Sequence, residues 1–139
     1  MSVDTLISHV KSLATDEGRV VGTPGHEKAK KYILSQLPKT KLRPHSGNSF
    51  EIPYEMEGVV FTNIVGILEG RNKELSPILL GAHYDTIYDT PGADDNAAAV
   101  SILLEIAREL KPHRLEHSVI FCIFDAEEPP NFLQQSMGS

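Results

Sequence analysis

Val3, Leu6, Ile7, Val10 and Leu13 recur at three- and four-residue intervals, so they share one face of a helix over about residues 3–15. A second helix is announced by "GTPGHEKAKKYILSQLP". Thr23 is a capping residue, Pro24 suits the first turn, Ala29, Tyr32, Ile33 and Leu37 form the apolar stripe, and Pro38 stops it. From Ser49 to Leu68 the period shortens to two. "FEIPYEM" alternates, "VVFTNIVGILEG" is rich in β-branched residues, and the two runs meet around Glu57-Gly58 as an antiparallel pair.

Two later runs have a different character. "PILLGA" (77–82) and "SVIFCIF" (118–124) are short and apolar throughout, the pattern of parallel strands covered on both faces. Between them Val100, Leu103, Leu104, Ala107 and Leu110 mark a helix, widened by Ala99, Ile102 and Ile106. Strand, helix and strand make a βαβ unit with a right-handed crossover. No repeat, low-complexity tract or linker divides the chain.

Composition narrows the function classes. The 139 residues are one domain's worth of chain, and a net charge of −6 leaves no basic stripe for phosphates, so nucleic acid is excluded as a partner. Lys28, Lys30 and Lys31 read as the solvated face of a helix. The single Cys122 forbids an internal disulfide and reads as a buried, inert thiol. Acids at Asp4, Asp16 and Glu17 break the pattern of a signal peptide, and no run approaches the roughly 18 apolar residues of a membrane span. A soluble, cytoplasmic chain is the expectation.

The charged residues then acquire a place. Parallel strands carry their carboxyl ends to one sheet edge, where open α/β sheets bind ligands. His83 and Asp85 follow the first strand, Asp94, Asp95 and Asn96 begin the crossover helix at the same edge, and Asp125 to Glu128 follow the second strand. Converging carboxylates repel unless a cation joins them. Imidazole with carboxylate oxygens and no thiolate suits zinc or a similar divalent ion. His83 supplies the nitrogen, Asp85 accepts the proton of the other ring nitrogen, and the Glu-Glu pair offers one carboxylate for metal and one for protons. Singly, each feature has a plainer reading: a helix cap at Asp94–Asn96, a surface turn at His83, a solvated loop at "AEEPP". Their coincidence on one edge favours the metal site. His26, His45, His113 and His117 read as solvated.

"GAHYDT", "PGADDNAAAV" and "FDAEE", in that order, resemble the di-zinc aminopeptidases and their relatives among the glutamate carboxypeptidases, and "RVVGTPGHEKAKKYI" resembles that family's N-terminal helical region. The resemblance implies a three-layer α/β/α sandwich around a mixed, largely parallel sheet. It implies His83 as ligand of a first zinc, Asp94 as the aspartate bridging two zincs, Glu128 as ligand of the second, Glu127 as general base and Asp85 as the support of the histidine. The implied reaction is hydrolysis of an N-terminal peptide bond in a peptide with a free N-terminus. That family draws an aspartate and a histidine from sequence after the Glu-Glu block, whereas no histidine follows His117 and the chain ends eleven residues beyond Glu128.

Residues 1–139 are therefore expected to be the N-terminal portion of a single catalytic domain, holding at most one zinc and inactive alone. The alternatives are a non-catalytic half-domain that binds a metal or a partner chain, and an acidic calcium module, against which His83 counts. An apolar 118–124 strand left uncovered at one edge predicts self-association.

Overall fold

The computed structural model describes residues 2–110 and 114–139; His113 lies outside them. Helix α1, Val3–Leu13, is capped by Ser2, whose side chain accepts from the Thr5 N–H. Helix α2, Pro24–Gln36, is capped by Thr23, which accepts from His26 N–H, and Pro24 opens it as expected. Beyond Gln36 the chain tightens into a 3-10 turn at Leu37–Lys39, because Pro38 has no N–H to continue the helix.

A two-residue strand β1 (Arg43–Pro44) precedes β2 (Glu51–Met56) and β3 (Val59–Leu68). β2 and β3 pair antiparallel across Glu57 and Gly58, with φ of 53° and 78°. Two positive φ values are what a two-residue hairpin turn demands, since its twist then matches that of the strands. β4 is Ile78–His83, α3 is Ala99–Glu109, and β5 is Val119–Phe124.

β4 and β5 pair in parallel, Ile78 opposite Val119 through His83 opposite Phe124, as the βαβ reading requires. The sheet order is β1-β3-β5-β4, with β2 also on β3, and β3 runs antiparallel to β5. The sheet is thus mixed and the class α/β. Alternate residues Val119, Phe121 and Ile123 of β5 join one core with Ile64 and Leu68 of β3, Ala82 of β4, and Leu13, Ala29, Ile33, Val100, Leu103, Leu104 and Ala107 of the three helices. Ile33 is wholly enclosed. Truncating such a side chain to alanine typically costs about 2–5 kcal/mol through lost burial and a residual cavity.

Two strand expectations are corrected. β5 is not an open edge, because β3 occupies one side and β4 the other. β4 is the open edge instead, and it is not covered on both faces: Ile78 is 49% and Leu79 56% exposed. A continuous apolar run looks the same whether its neighbours are present on one side or two.

Candidate metal centre

The last residue of β4 is His83, and its partner across the ladder, Phe124, ends β5. The parallel pairing therefore delivers His83 and the turn Asp125–Glu128 side by side. Between β4 and α3 the chain does not form a regular helix cap. Residues Ala93–Ala98 make a wide turn in which Ala97 N–H donates to Gly92 O, and Asp95 (φ −111°, ψ 96°) and Asn96 (φ −133°, ψ 32°) leave helical geometry. Ala98 stands at the start of α3 without a side-chain cap, so the capping reading of Asp94–Asn96 does not hold.

That departure from helix decides which aspartate reaches the site. Asp95 Oδ1 lies 3.0 Å from His83 Nε2, and Glu128 Oε1 lies 3.9 Å from the same nitrogen. His83, Asp95 and Glu128 are, among the described residues, the one group able to hold an ion, their donor atoms all lying within 4.8 Å of one another. Asp94, which the motif match puts forward, is an exposed residue outside that group. The extended backbone at Asp95 turns its carboxylate to the histidine where a continuous helix would have alternated the two residues around its axis.

One imidazole nitrogen and two carboxylates fit zinc. Donors bound at about 2.0–2.1 Å in tetrahedral directions lie about 3.3 Å apart, and three protein donors with one position open is the pattern of catalytic zinc sites. The electrostatics agree. For His83, burial works most strongly against the charged ring, yet Asp85, Asp95 and Glu128 together outweigh it and raise its pKa. Glu128 is raised by burial first and by the Asp95 charge next. Crowded acids and a cation-seeking imidazole are the state that a divalent ion relieves.

The supporting residues are more deeply set. Asp85 is 1% exposed and accepts from the main-chain N–H groups of Glu127 at 3.1 Å and Glu128 at 2.9 Å. Burial opposes its ionisation, and the His83 interaction with these two N–H bonds more than offsets that, so its pKa is lowered. Its Oδ1 also faces His83 Nδ1 at 3.3 Å, at an angle that leaves this buried nitrogen without a hydrogen-bond partner. Glu127 accepts from both the N–H (2.7 Å) and the hydroxyl (3.0 Å) of Ser139. His83, Asp95, Glu127, Glu128, Pro129 and Phe132 line an open cleft of about 520 Å³.

Two residues near the centre, His26 and Arg19, escaped the sequence reading. His26 is not solvated: it is 4% exposed, stacks on Tyr84 at a centroid distance of 4.8 Å, and places Nε2 2.7 Å from Asp125 Oδ1. Asp125 in turn accepts from the N–H groups of Thr62 and Ala126, which fixes the start of the turn that carries both glutamates. Arg19 is buried beneath the loop that follows β4. The "RVVGTPGH" stretch held a signal for both, since an arginine and a histidine there belong to no apolar stripe. His45 is exposed as expected, and His117 is half-buried with Nδ1 2.8 Å from Ser76 O.

Comparison with known proteins identifies relatives of the chain. Over 150 residues the chain is 29% identical to "Endoplasmic reticulum metallopeptidase 1" of Homo sapiens, covering 95% of this chain and 16% of that protein. It is 40% identical over 67 residues to "Aminopeptidase YwaD" of Bacillus subtilis, covering 48% of this chain and 15% of the other. Among solved structures it matches a Zn-dependent exopeptidase from Parabacteroides distasonis (TM-score 0.70, 23% identity, 99% of this chain and 53% of that one). It also matches the glutaminyl cyclase of Macrostomum lignano (TM-score 0.75, 25% identity, 99% and 42%). The chain spans about half the length of these solved structures and less than a fifth of the curated relatives it matches. No helix among the described residues is long and apolar enough to cross a membrane. Residues 63–137, more than half of the 139 and including His83, Asp95, Glu127 and Glu128, match the profile of Peptidase family M28, and the chain belongs to that family.

Proposed function

We propose that this chain is the zinc-binding N-terminal portion of a metallopeptidase that hydrolyses the N-terminal peptide bond of a peptide substrate. The observation that carries the reading is the approach of His83, Asp95 and Glu128 at the carboxyl edge of a parallel strand pair, with Glu127 beside them. His83 Nε2, Asp95 Oδ1 and Glu128 Oε1 are the donors toward the ion. Asp95 takes the role that the motif match gives to Asp94. When bound, zinc supplies Lewis acidity toward a carbonyl oxygen and lowers the pKa of water beside it.

The chain's own residues do the rest. Glu127 accepts a proton at its carboxylate and later returns it to the leaving amine, as a general base placed at the cleft does. Asp85 holds the two glutamates in register through their N–H groups, so that one side chain faces the ion and the other the proton. Its Oδ1 also stands beside His83 Nδ1, at 3.3 Å. Three donors suffice for one ion. The second ion of a two-metal site, and the surface that selects the N-terminal side chain, are assigned to sequence beyond this stretch.

Cyclisation of an N-terminal glutamine is the second reading, carried by the likeness to the Macrostomum lignano enzyme. The higher identity to an aminopeptidase over the matched block favours hydrolysis. The test joins this chain to the remainder of a family catalytic domain, loads zinc, and offers aminoacyl-nitroanilides beside an N-terminal glutaminyl peptide. Release of nitroaniline supports the proposal. Ring closure without nitroaniline release supports the second reading, and neither product with zinc bound supports a non-catalytic metal-binding role.

A further inference from the structure

Arg19 is 1% exposed, and every hydrogen bond of its guanidinium goes to a main-chain carbonyl. Nε donates to Tyr84 O at 2.7 Å, Nη1 to Pro91 O at 2.7 Å and Leu13 O at 3.0 Å, and Nη2 to Gly92 O at 2.9 Å. Its main chain adds two more links to the same loop: Arg19 N–H donates to Thr86 Oγ1 at 2.7 Å, and Thr86 N–H donates to Arg19 O at 3.2 Å. Tyr84 directly follows His83, and Gly92 stands shortly before Asp95. The arginine therefore grips both ends of the loop that separates two donors of the metal group.

A buried charge is costly unless the structure uses it. Only a guanidinium presents enough donors, in a fixed plane, to hold four carbonyls at once. Gly92 is fitted to the same contact. Its φ is +60°, and an added Cβ would stand 2.7 Å from Arg19 Nη2 and 2.2 Å from Thr86 Cγ2. Burial pulls the Arg19 pKa down to about 10, while the nearby Asp85 and Asp95 charges favour the cation, so the group stays protonated at neutral pH.

We propose that Arg19 is the positioning residue of the metal centre: by clamping Tyr84, Pro91 and Gly92 it sets the span between His83 and Asp95. The assignment rests on the reading of those two side chains as ion donors, but the clamp itself is testable without metal.

The experiment uses the 139-residue chain, wild type, Arg19→Lys and Gly92→Ala, with Ile33→Ala as a control that weakens the core away from the loop. Arg19→Lys keeps the charge and loses the fork; Gly92→Ala disturbs the clamp from the loop side if the lysine variant does not fold. Amide hydrogen exchange of the metal-free proteins is read over residues 84–97 and over the β2–β3 hairpin. Zinc affinity is read by competition with a chromophoric chelator. The clamp predicts exchange faster by roughly tenfold or more over 84–97 with the hairpin unchanged. It also predicts zinc affinity lower by about 10- to 100-fold, the usual cost of losing a group that orients a ligand, whereas Ile33→Ala binds zinc within about twofold of wild type. Unchanged exchange over 84–97 in a folded variant overturns the proposal, as does wild-type zinc affinity in both variants. Failure of the wild-type chain to bind zinc sinks the metal reading alone, and the exchange data still decide the clamp.

Discussion

Nε2 of His83 and Oδ1 of Asp95 stand 3.0 Å apart, although a wide loop and a non-helical turn separate them along the chain. Their proximity brings forward Asp95, where the motif match had put forward the neighbouring Asp94. Asp95→Asn removes a charged donor and is expected to weaken zinc binding by at least about 100-fold, more than the loss of an orienting group does. Asp94→Asn is expected to stay within a few-fold of wild type. Calorimetric titration of both variants checks this, and the reverse order of effects would restore Asp94 as the ligand.

Glu127 and Glu128 have different duties in the proposed reaction. In a chain completed to a full catalytic domain, Glu127→Gln is expected to lower turnover by about 10²- to 10⁴-fold, the usual contribution of a positioned proton acceptor. Its zinc content is expected to stay near that of wild type, and Glu128→Gln is expected to lose zinc. Near-normal turnover in Glu127→Gln would remove the general-base assignment.

The 139-residue chain by itself is expected not to release nitroaniline from aminoacyl-nitroanilides, with or without added zinc. The three donors proposed above suffice for one ion, and two-metal hydrolases use a second, about 3.5–4 Å away, to share the developing charge. Chelator-sensitive turnover with two zincs per chain, measured on the purified protein, would overturn the donor count.

The open edge of the sheet is β4, with Ile78 and Leu79 half exposed along it. An apolar unpaired edge pairs with other chains, and natural edges are protected by lysine. The chain is expected to associate with rising concentration in sedimentation velocity, and Leu79→Lys is expected to shift it toward monomer. A monodisperse monomer over the whole concentration range would contradict the prediction.

Cys122 lies inside β5 with 6% of its surface exposed, and burial, with the Glu127 charge second, pushes its thiol up to about 11. Only the thiolate reacts, so at pH 8 about one molecule in a thousand is competent. Native protein is expected to resist thiol-specific labelling at pH 8 and to react fully once unfolded in denaturant. Rapid stoichiometric labelling of the folded chain would show that β5 is not interior.

What the sequence determined by itself is what short-range physics writes along a chain. Thr23 and Pro24 announced a helix start because a cap and a fixed φ act within one turn. The apolar runs 77–82 and 118–124 announced parallel strands, and with that orientation came the convergence of His83 and the Asp125–Glu128 turn on one edge. The contact of Asp85 with the turn that carries Glu127 and Glu128 follows from the same convergence.

Only the tertiary structure decided which strand is the edge, which aspartate faces the histidine, and which polar residues are interior. β5 became central because β3, from the hairpin far upstream, took its second side. Strand adjacency across such a separation leaves no periodicity to read. Asp95 and not Asp94 faces the histidine because its backbone leaves helical geometry, in a turn that directly follows the loop gripped by Arg19. His26 read as solvated, and Arg19 drew no reading, because their partners, Asp125 and the carbonyls of Tyr84 to Gly92, are distant in sequence. A buried polar residue is recognisable only once the groups that satisfy it have been brought into contact, and folding alone makes that contact.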